Sequence, residues 1–220
     1  MHAIDLITDE IPPLRPSDTV ARALDWMEEF KVGHLPVVDG RRLLGLLDDD
    51  ALMDRNDPKG QVGKLLEAAE IPYVRDGQHI YDVMKLMSER SLTVLPVLDM
   101  SGNYLGAISE HQAMKRLAEI TNIREPGSVV VLEMNQHDYS LQEIAKIVEG
   151  NDGKVLSVYS HTLANSTRVE VTLKINREDI SDILQAFERY EYFVKGTYQG
   201  SRFHDDLRTR YDELMRFINM

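Results

Sequence analysis

The stretch "LPVVD" at Leu35–Asp39 returns as "LPVLD" at Leu95–Asp99, displaced by 60 residues. Each copy leads into a glycine-started segment, "GLLDDDAL" at Gly45–Leu52 and "GAISEHQAM" at Gly106–Met114. Working outward, Pro12 matches Pro72 at the same displacement. Between these anchors, Val20, Ala23, Leu24 and Met27 correspond to Ile80, Val83, Met84 and Met87. Both sets follow i, i+3, i+4, i+7, the single apolar stripe of an amphipathic helix. After each helix comes a short apolar strand and a turn, "DGRRL" in the first copy and "DMSGNYL" in the second. A second strand follows (Leu43–Leu47; Tyr104–Ile108), and a further helix opens at "DDDALM" and "EHQAMKRLAEI". Each copy therefore reads strand, helix, strand, strand, helix, one unit written twice.

The proline-rich entry, the "GHLPVVD" segment and the glycine-started strand running into a helix resemble a pair of CBS domains over about residues 1–122. The resemblance implies one CBS domain at residues 1–57 and a second at 58–122, paired into a disc with two clefts. It also implies an adenosine nucleotide (AMP, ADP or ATP) as a regulatory ligand, with no cofactor required. The ligand motif of that family runs glycine, two apolar residues, serine or threonine, two variable residues, then aspartate. Glycine permits close backbone approach. The hydroxyl and the amides of a helix start suit a phosphate, and a carboxylate one turn on accepts from both ribose hydroxyls.

In the first copy the motif positions are Gly45, Asp48 and Ala51. Alanine accepts nothing from ribose, and Asp48, with Asp49 and Asp50 beside it, sets negative charge where a phosphate would sit. Three acids at a helix start also complement the helix dipole, which accounts for them without a ligand; a divalent-cation site is the sharper alternative. In the second copy the positions are Gly106, Ser109 and Gln112, and the hydroxyl is kept. His111 adds charge to a phosphate contact when protonated. The resemblance places the base against the backbone of the leucine-proline segment. The expected nucleotide site is thus Thr93, Val94, Leu95, Pro96, Gly106, Ser109 and Gln112, in the second cleft rather than the first.

From Pro126 the pattern changes. "SVVVLEM" reads as a buried strand, and Leu141, Ile144, Ala145 and Val148 follow helical spacing behind a capping box of Ser140 with Glu143. "KVLSVYSHTL" and "TRVEVTLKI" read as strands flanking the turn Ala164–Ser166. Ile180, Ile183, Leu184 and Phe187 mark a second helix, and "YFVKGTY" a last strand. The order β-α-β-β-α-β is the ferredoxin-like arrangement. It resembles an ACT domain, expected at residues 123–200. Tyr139 stands in the loop where amino-acid-sensing ACT domains commonly carry glycine, which argues against that use. Asn135, His137 and Asp138 are candidate contacts whose commoner role is turn formation and capping. CBS-CBS-ACT is the layout of acetoin-utilisation regulatory proteins, a resemblance of architecture alone. At residues 201–220, Phe203, Leu207, Tyr211, Leu214 and Ile218 form an apolar helical stripe that needs a surface. A second subunit is the favoured one, giving a homodimer or higher homo-oligomer. The fold class is α+β.

Composition narrows the function classes. The 220 residues are 43% hydrophobic and 28% charged, with a formal charge of −12 that disfavours nucleic acid and anionic membranes as partners. No run approaches the roughly 18 apolar residues of a membrane span. The acid-bearing "MHAIDLITDEIPPL" is unlike a secretory signal, so a cytoplasmic protein is expected. With no cysteine, disulfides and thiolate chemistry are absent. The seven histidines (His2, His34, His79, His111, His137, His161, His204) lack metal-ligand spacing, and no nucleophile or phosphate-loop motif occurs. The reading is a non-catalytic small-molecule sensor acting through an unidentified regulated protein. Its rivals are a scaffold with vestigial clefts and a cation switch using Asp48, Asp49, Asp50 and Asp54.

Overall fold

The first repeat consists of α1 (Val20–Phe30), β1 (His34–Asp39), β2 (Arg42–Asp48) and α2 (Asp49–Met53). The second consists of β3 (Val74–Arg75), α3 (Ile80–Arg90), β4 (Val94–Leu98), β5 (Tyr104–Ser109) and α4 (Glu110–Ile120). The computed structural model describes residues 1–53, 57–66, 70–163 and 166–199. They fall into two units, residues 1–117 and 118 onward.

The displacement of 60 persists in the positions of the helix caps and the hairpin bulges. Thr19 and His79 cap the matching helices, accepting from the Arg22 and Tyr81 amides at 3.2 and 3.3 Å. Both helices end on a non-glycine residue in the left-handed region, Lys31 (φ 55°) and Ser91 (φ 53°). Both hairpins are antiparallel and carry a bulge at the same place, between Val37 and Val38 and between Val97 and Leu98. The expected stripes are buried at Val20, Ala23 and Met27 and at Ile80, Val83 and Met87.

One strand differs. In the second repeat β3 pairs in parallel with β4, and the Asp76 amide donates to Leu98 O at 3.0 Å. The first repeat keeps a single parallel bridge, Leu14 to Val37. The residue matching Asp76 is Pro16, which has no N–H to give, so the ladder stops there.

The two repeats also exchange their opening segments. The short 3-10 turn Ala3–Leu6 precedes the first repeat in sequence but packs in the second core, where Ala3 and Leu6 are fully buried. Ala3 N–H donates to Gln78 O at 2.8 Å and Ile4 N–H to Asp76 O at 3.1 Å. Reciprocally, Val62 of the turn Val62–Lys64 lies in the first core, with Val62 N–H to Asp18 O at 2.9 Å and Gly63 N–H to Pro16 O at 3.0 Å. Each core is thus completed by chain from the other half.

The second unit contains β6 (Ser128–Asn135), α5 (Leu141–Glu149), β7 (Val155–Thr162), β8 (Arg168–Ile175), α6 (Ser181–Arg189) and β9 (Phe193–Gln199). The β-α-β-β-α-β order is as expected, with an antiparallel sheet ordered β7-β8-β6-β9. Val130, Leu132, Val171 and Leu173 face Ile144, Val148, Ile183 and Phe187 in one core. On the opposite sheet face Glu133 pairs with Arg168 and Lys195, and Lys195 also with Glu170.

Two details of α5 depart from the sequence reading. Ile147 joins Ile144 and Val148 in the core, while Leu141 is 43% exposed. Leu141 is the first helical residue, and a side chain there leans back past the helix start rather than onto the sheet. Ser140 caps the helix from the Glu143 amide, but the Glu143 carboxylate accepts from the Tyr192 hydroxyl at 3.2 Å instead of closing a capping box. The expected helix at 201–220 and most of the Ala164–Ser166 turn lie outside the described residues.

Candidate functional site

The glycine-started segments form the β2–α2 and β5–α4 junctions. Ser109 is the last residue of β5, 7% exposed, and its Oγ accepts from the Gln112 amide at 3.1 Å. Asp48 holds the same place in the first repeat, exposed, with Oδ1 accepting from the Ala51 amide at 3.0 Å. The next amides also match: Glu110 N–H donates to Thr93 O at 2.9 Å and Asp49 N–H to Gly33 O at 3.0 Å. Serine and aspartate are both good N-caps, which lets the two junctions share one backbone. They differ in what remains. Ser109 keeps a hydroxyl proton to donate, whereas Asp48 offers only acceptors and charge.

Gly45 and Gly106 have a job the sequence did not show. A Cβ on Gly106 would lie 2.5 Å from Ile7 Cγ2, and one on Gly45 2.5 Å from Leu66 Cδ2. The glycines admit apolar side chains of the exchanged segments, so their open face is taken by the chain itself.

The residues of the leucine-proline segment part company. Val94, Leu95 and Pro96 are buried, Val94 in the first core and Leu95 in the second. Thr93 is half-buried, and its hydroxyl joins the repeats by accepting from Gly33 N–H at 2.9 Å and lying 3.1 Å from His34 Nδ1. His34 Nδ1 also accepts from the Thr93 amide at 3.4 Å.

Thr93 and Ser109 meet in an open cleft of about 880 Å³, whose wall continues through Glu110, His111 and Met114. The facing wall comes from the first repeat and its entry segment: Glu10, Ile11, Glu29, Phe30, Lys31 and Val32. Gly106 and Gln112, expected at the site, stand beside this cleft rather than along it. Sequence reasoning missed the facing wall entirely. Its one sequence signal is "FKVG" at Phe30–Gly33, where a lysine rather than glycine follows the helix. The first junction lines a smaller hollow of about 250 Å³, with Gly45, Asp48 and Ala51 against Leu65 and Leu66.

Among the described residues Asp48, Asp49 and Asp50 can bring oxygens within 4.8 Å of one another. Asp48 caps Ala51 and Asp49 Oδ1 accepts from the Asp50 amide at 2.9 Å, so both serve the helix start. Asp54 lies outside the described residues. In the second unit Asn135, His137 and Asp138 are exposed on a 3-10 turn, with Asn135 Nδ2 donating to Asp138 Oδ2 at 3.3 Å, a turn-forming role.

Two repeats of one exchanged design, each ending in a capped glycine-started junction, narrow the family, and the sequence profile of the CBS domain matches residues 3–56 and again 64–119. The chain belongs to the CBS-domain family. It is 25% identical over 109 residues to the CBS domain-containing protein YhcV of Bacillus subtilis, spanning 48% of this chain and 77% of that one. An uncharacterized 33.4 kDa protein in a ribosomal RNA operon of Thermofilum pendens is 24% identical over 206 residues, spanning 82% of this chain and 69% of that one. A CBS domain pair/ACT domain protein from Thermotoga maritima aligns in three dimensions with a TM-score of 0.48 and 24% identity, covering 54% of this chain and 98% of that chain. Among the described residues, no helix is long and apolar enough to cross a membrane.

His34 gives the CBS pair a pH-dependent seam. Burial holds its imidazole below the usual 6.5, with Asp48 and Asp49 partly opposing the shift. The unfolded chain therefore takes up this proton first. The contribution of His34 is fully present above about pH 6.5 and is lost as pH falls through the lower folded-state value. In urea denaturation, the wild type is expected to lose stability more steeply below pH 6.5 than His34→Gln. Parallel pH profiles for the two proteins would contradict this account of the seam.

Proposed function

We propose that the protein is a non-catalytic regulatory sensor that takes an adenosine nucleotide in the cleft beside Ser109. The observation that carries the reading is the Ser109 hydroxyl, which caps α4 while facing a cleft walled by both repeats. Membership of the CBS family supports the nucleotide. Ile11, Val32 and Met114 give the cleft an apolar lining for a base. The first junction is vestigial in this reading, since Asp48 repels phosphate and Ala51 holds no ribose. Helix α4, capped by Ser109, runs from Glu110 to Ile120, so its last three residues fall in the second unit. That continuity is the route by which an occupied cleft would bias the ACT-like domain and a homo-oligomer built on it. Any such bias is limited by the ligand's preference for one state over the other.

A thermal-shift panel of AMP, ADP, ATP, NAD, S-adenosylmethionine, amino acids and Mg²⁺ tests the reading. A nucleotide at 100 times its dissociation constant is expected to add about 2.7 kcal/mol of stability. Silence from every adenosine compound would favour the scaffold with disused clefts, a reading supported by the engagement of Thr93 and Ser109 in protein hydrogen bonds. A response to Mg²⁺ alone would favour the cation switch.

A further inference from the structure

The cleft beside Ser109 carries a charge pattern unlike that of a polyphosphate site. Three carboxylates line it, Glu10 and Glu29 on one wall and Glu110 on the other. Among the described residues Lys31 is its one ammonium group and no arginine lines it; His111 adds a positive charge only when protonated. All four charged residues are exposed, so their field acts through solvent across the cleft mouth rather than in a buried ion pair. The Ser109 hydroxyl and Lys31 are the lining groups that suit a single phosphate. Each further phosphoryl group adds negative charge to a cleft whose lining acids outnumber its lysine.

We propose that Glu10, Glu29 and Glu110 set the ligand's charge, making this a site for a nucleoside monophosphate that discriminates against the triphosphate. The proposal rests on the reading of this cleft as an adenosine-nucleotide site and adds which member of that class it accepts. Fixed negative charge at the mouth raises the energy of ATP, with about four charges at neutral pH, more than that of AMP with about two. The apolar lining at Ile11, Val32 and Met114 is common to both ligands. Selection therefore lies in the phosphate chain and not in the base.

Titration calorimetry of the full chain with adenosine, AMP and ATP, in EDTA so that no metal bridges carboxylate and phosphate, tests the proposal. AMP is expected to bind about tenfold more tightly than ATP, equivalent to about 1.4 kcal/mol. Raising the salt to about 0.5 M should shrink the gap, because screening shortens the reach of the rim charges. The double variant Glu10→Gln/Glu29→Gln is expected to narrow the ratio of the ATP and AMP dissociation constants severalfold. Both positions are exposed, so the variant keeps its core. ATP binding as tightly as AMP to the wild type, or a ratio unchanged in the double variant, would overturn the proposal while leaving the nucleotide site standing. Failure of adenosine, AMP and ATP alike to bind would instead remove the nucleotide reading on which it rests.

Discussion

Replacing Leu6 by alanine is expected to cost about 2–5 kcal/mol and to loosen the second CBS repeat rather than the first. Leu6 lies inside the first repeat's own matched segment, residues 3–56, yet its side chain is fully buried in the second core. Its neighbours there are Val74, Ile80, Val83 and Leu95, none of which comes from the first repeat. The cavity left by alanine would open beneath α3 and β4. Urea denaturation gives the total loss, and amide hydrogen exchange gives its location. Protection should fall first in α3 and β4 while α1 and β1 are spared. Val62→Ala, made in the reciprocal segment, should show the opposite distribution with a smaller loss, since fewer methyl groups are removed. Exchange that quickens in α1 after the Leu6 change would refute the crossed arrangement of the cores.

Ser109→Asp is expected to abolish nucleotide binding without unfolding the site. Asp48 demonstrates that an aspartate caps this junction, accepting from the amide three residues on just as Ser109 does. The helix start is therefore preserved, and what changes is charge. A carboxylate about 5 Å from a bound phosphate, at the effective dielectric of a protein surface, costs about 3 kcal/mol per unit of phosphate charge, roughly a hundredfold or more in affinity. Asp48→Ser, made in the sister junction, should leave AMP binding undiminished. Calorimetry on the two variants separates the clefts. If AMP binds Ser109→Asp as it binds the wild type, and fails on Asp48→Ser, the first junction is the site and the assignment must be reversed.

The family motif pointed to Ser109 as the copy that keeps a hydroxyl and to Asp48 as the copy that replaces it with a carboxylate, and both residues occupy equivalent caps. It was less informative about Gly106, which the motif treats as room for a ligand and the structure fills with Ile7. The leucine-proline segment was legible as a strand but not by face. A continuous apolar run looks the same from sequence whichever way its residues point, and here Val94 and Leu95 serve two different cores. Lys31 and Ile11 escaped notice because they lie far from Ser109 in sequence. They reach the cleft only through the pairing of the repeats.

Although the leading strand expected in the first repeat is reduced to one bridge, the sequence alone determined the duplication, the element order of the second repeat and of the second unit, the buried stripes of α1 and α3 and the Ser140 cap of α5. These follow from local periodicity and from hydrogen bonds between residues three or four apart, which neighbours in the chain set on their own. Only the tertiary structure decided that Leu6 completes the second core and Val62 the first, that Pro16 shortens one strand, and that three glutamates rim the cleft beside Ser109. Those outcomes depend on which distant surfaces bury each other, and segments of near-identical pattern carry no local mark of which repeat they will join.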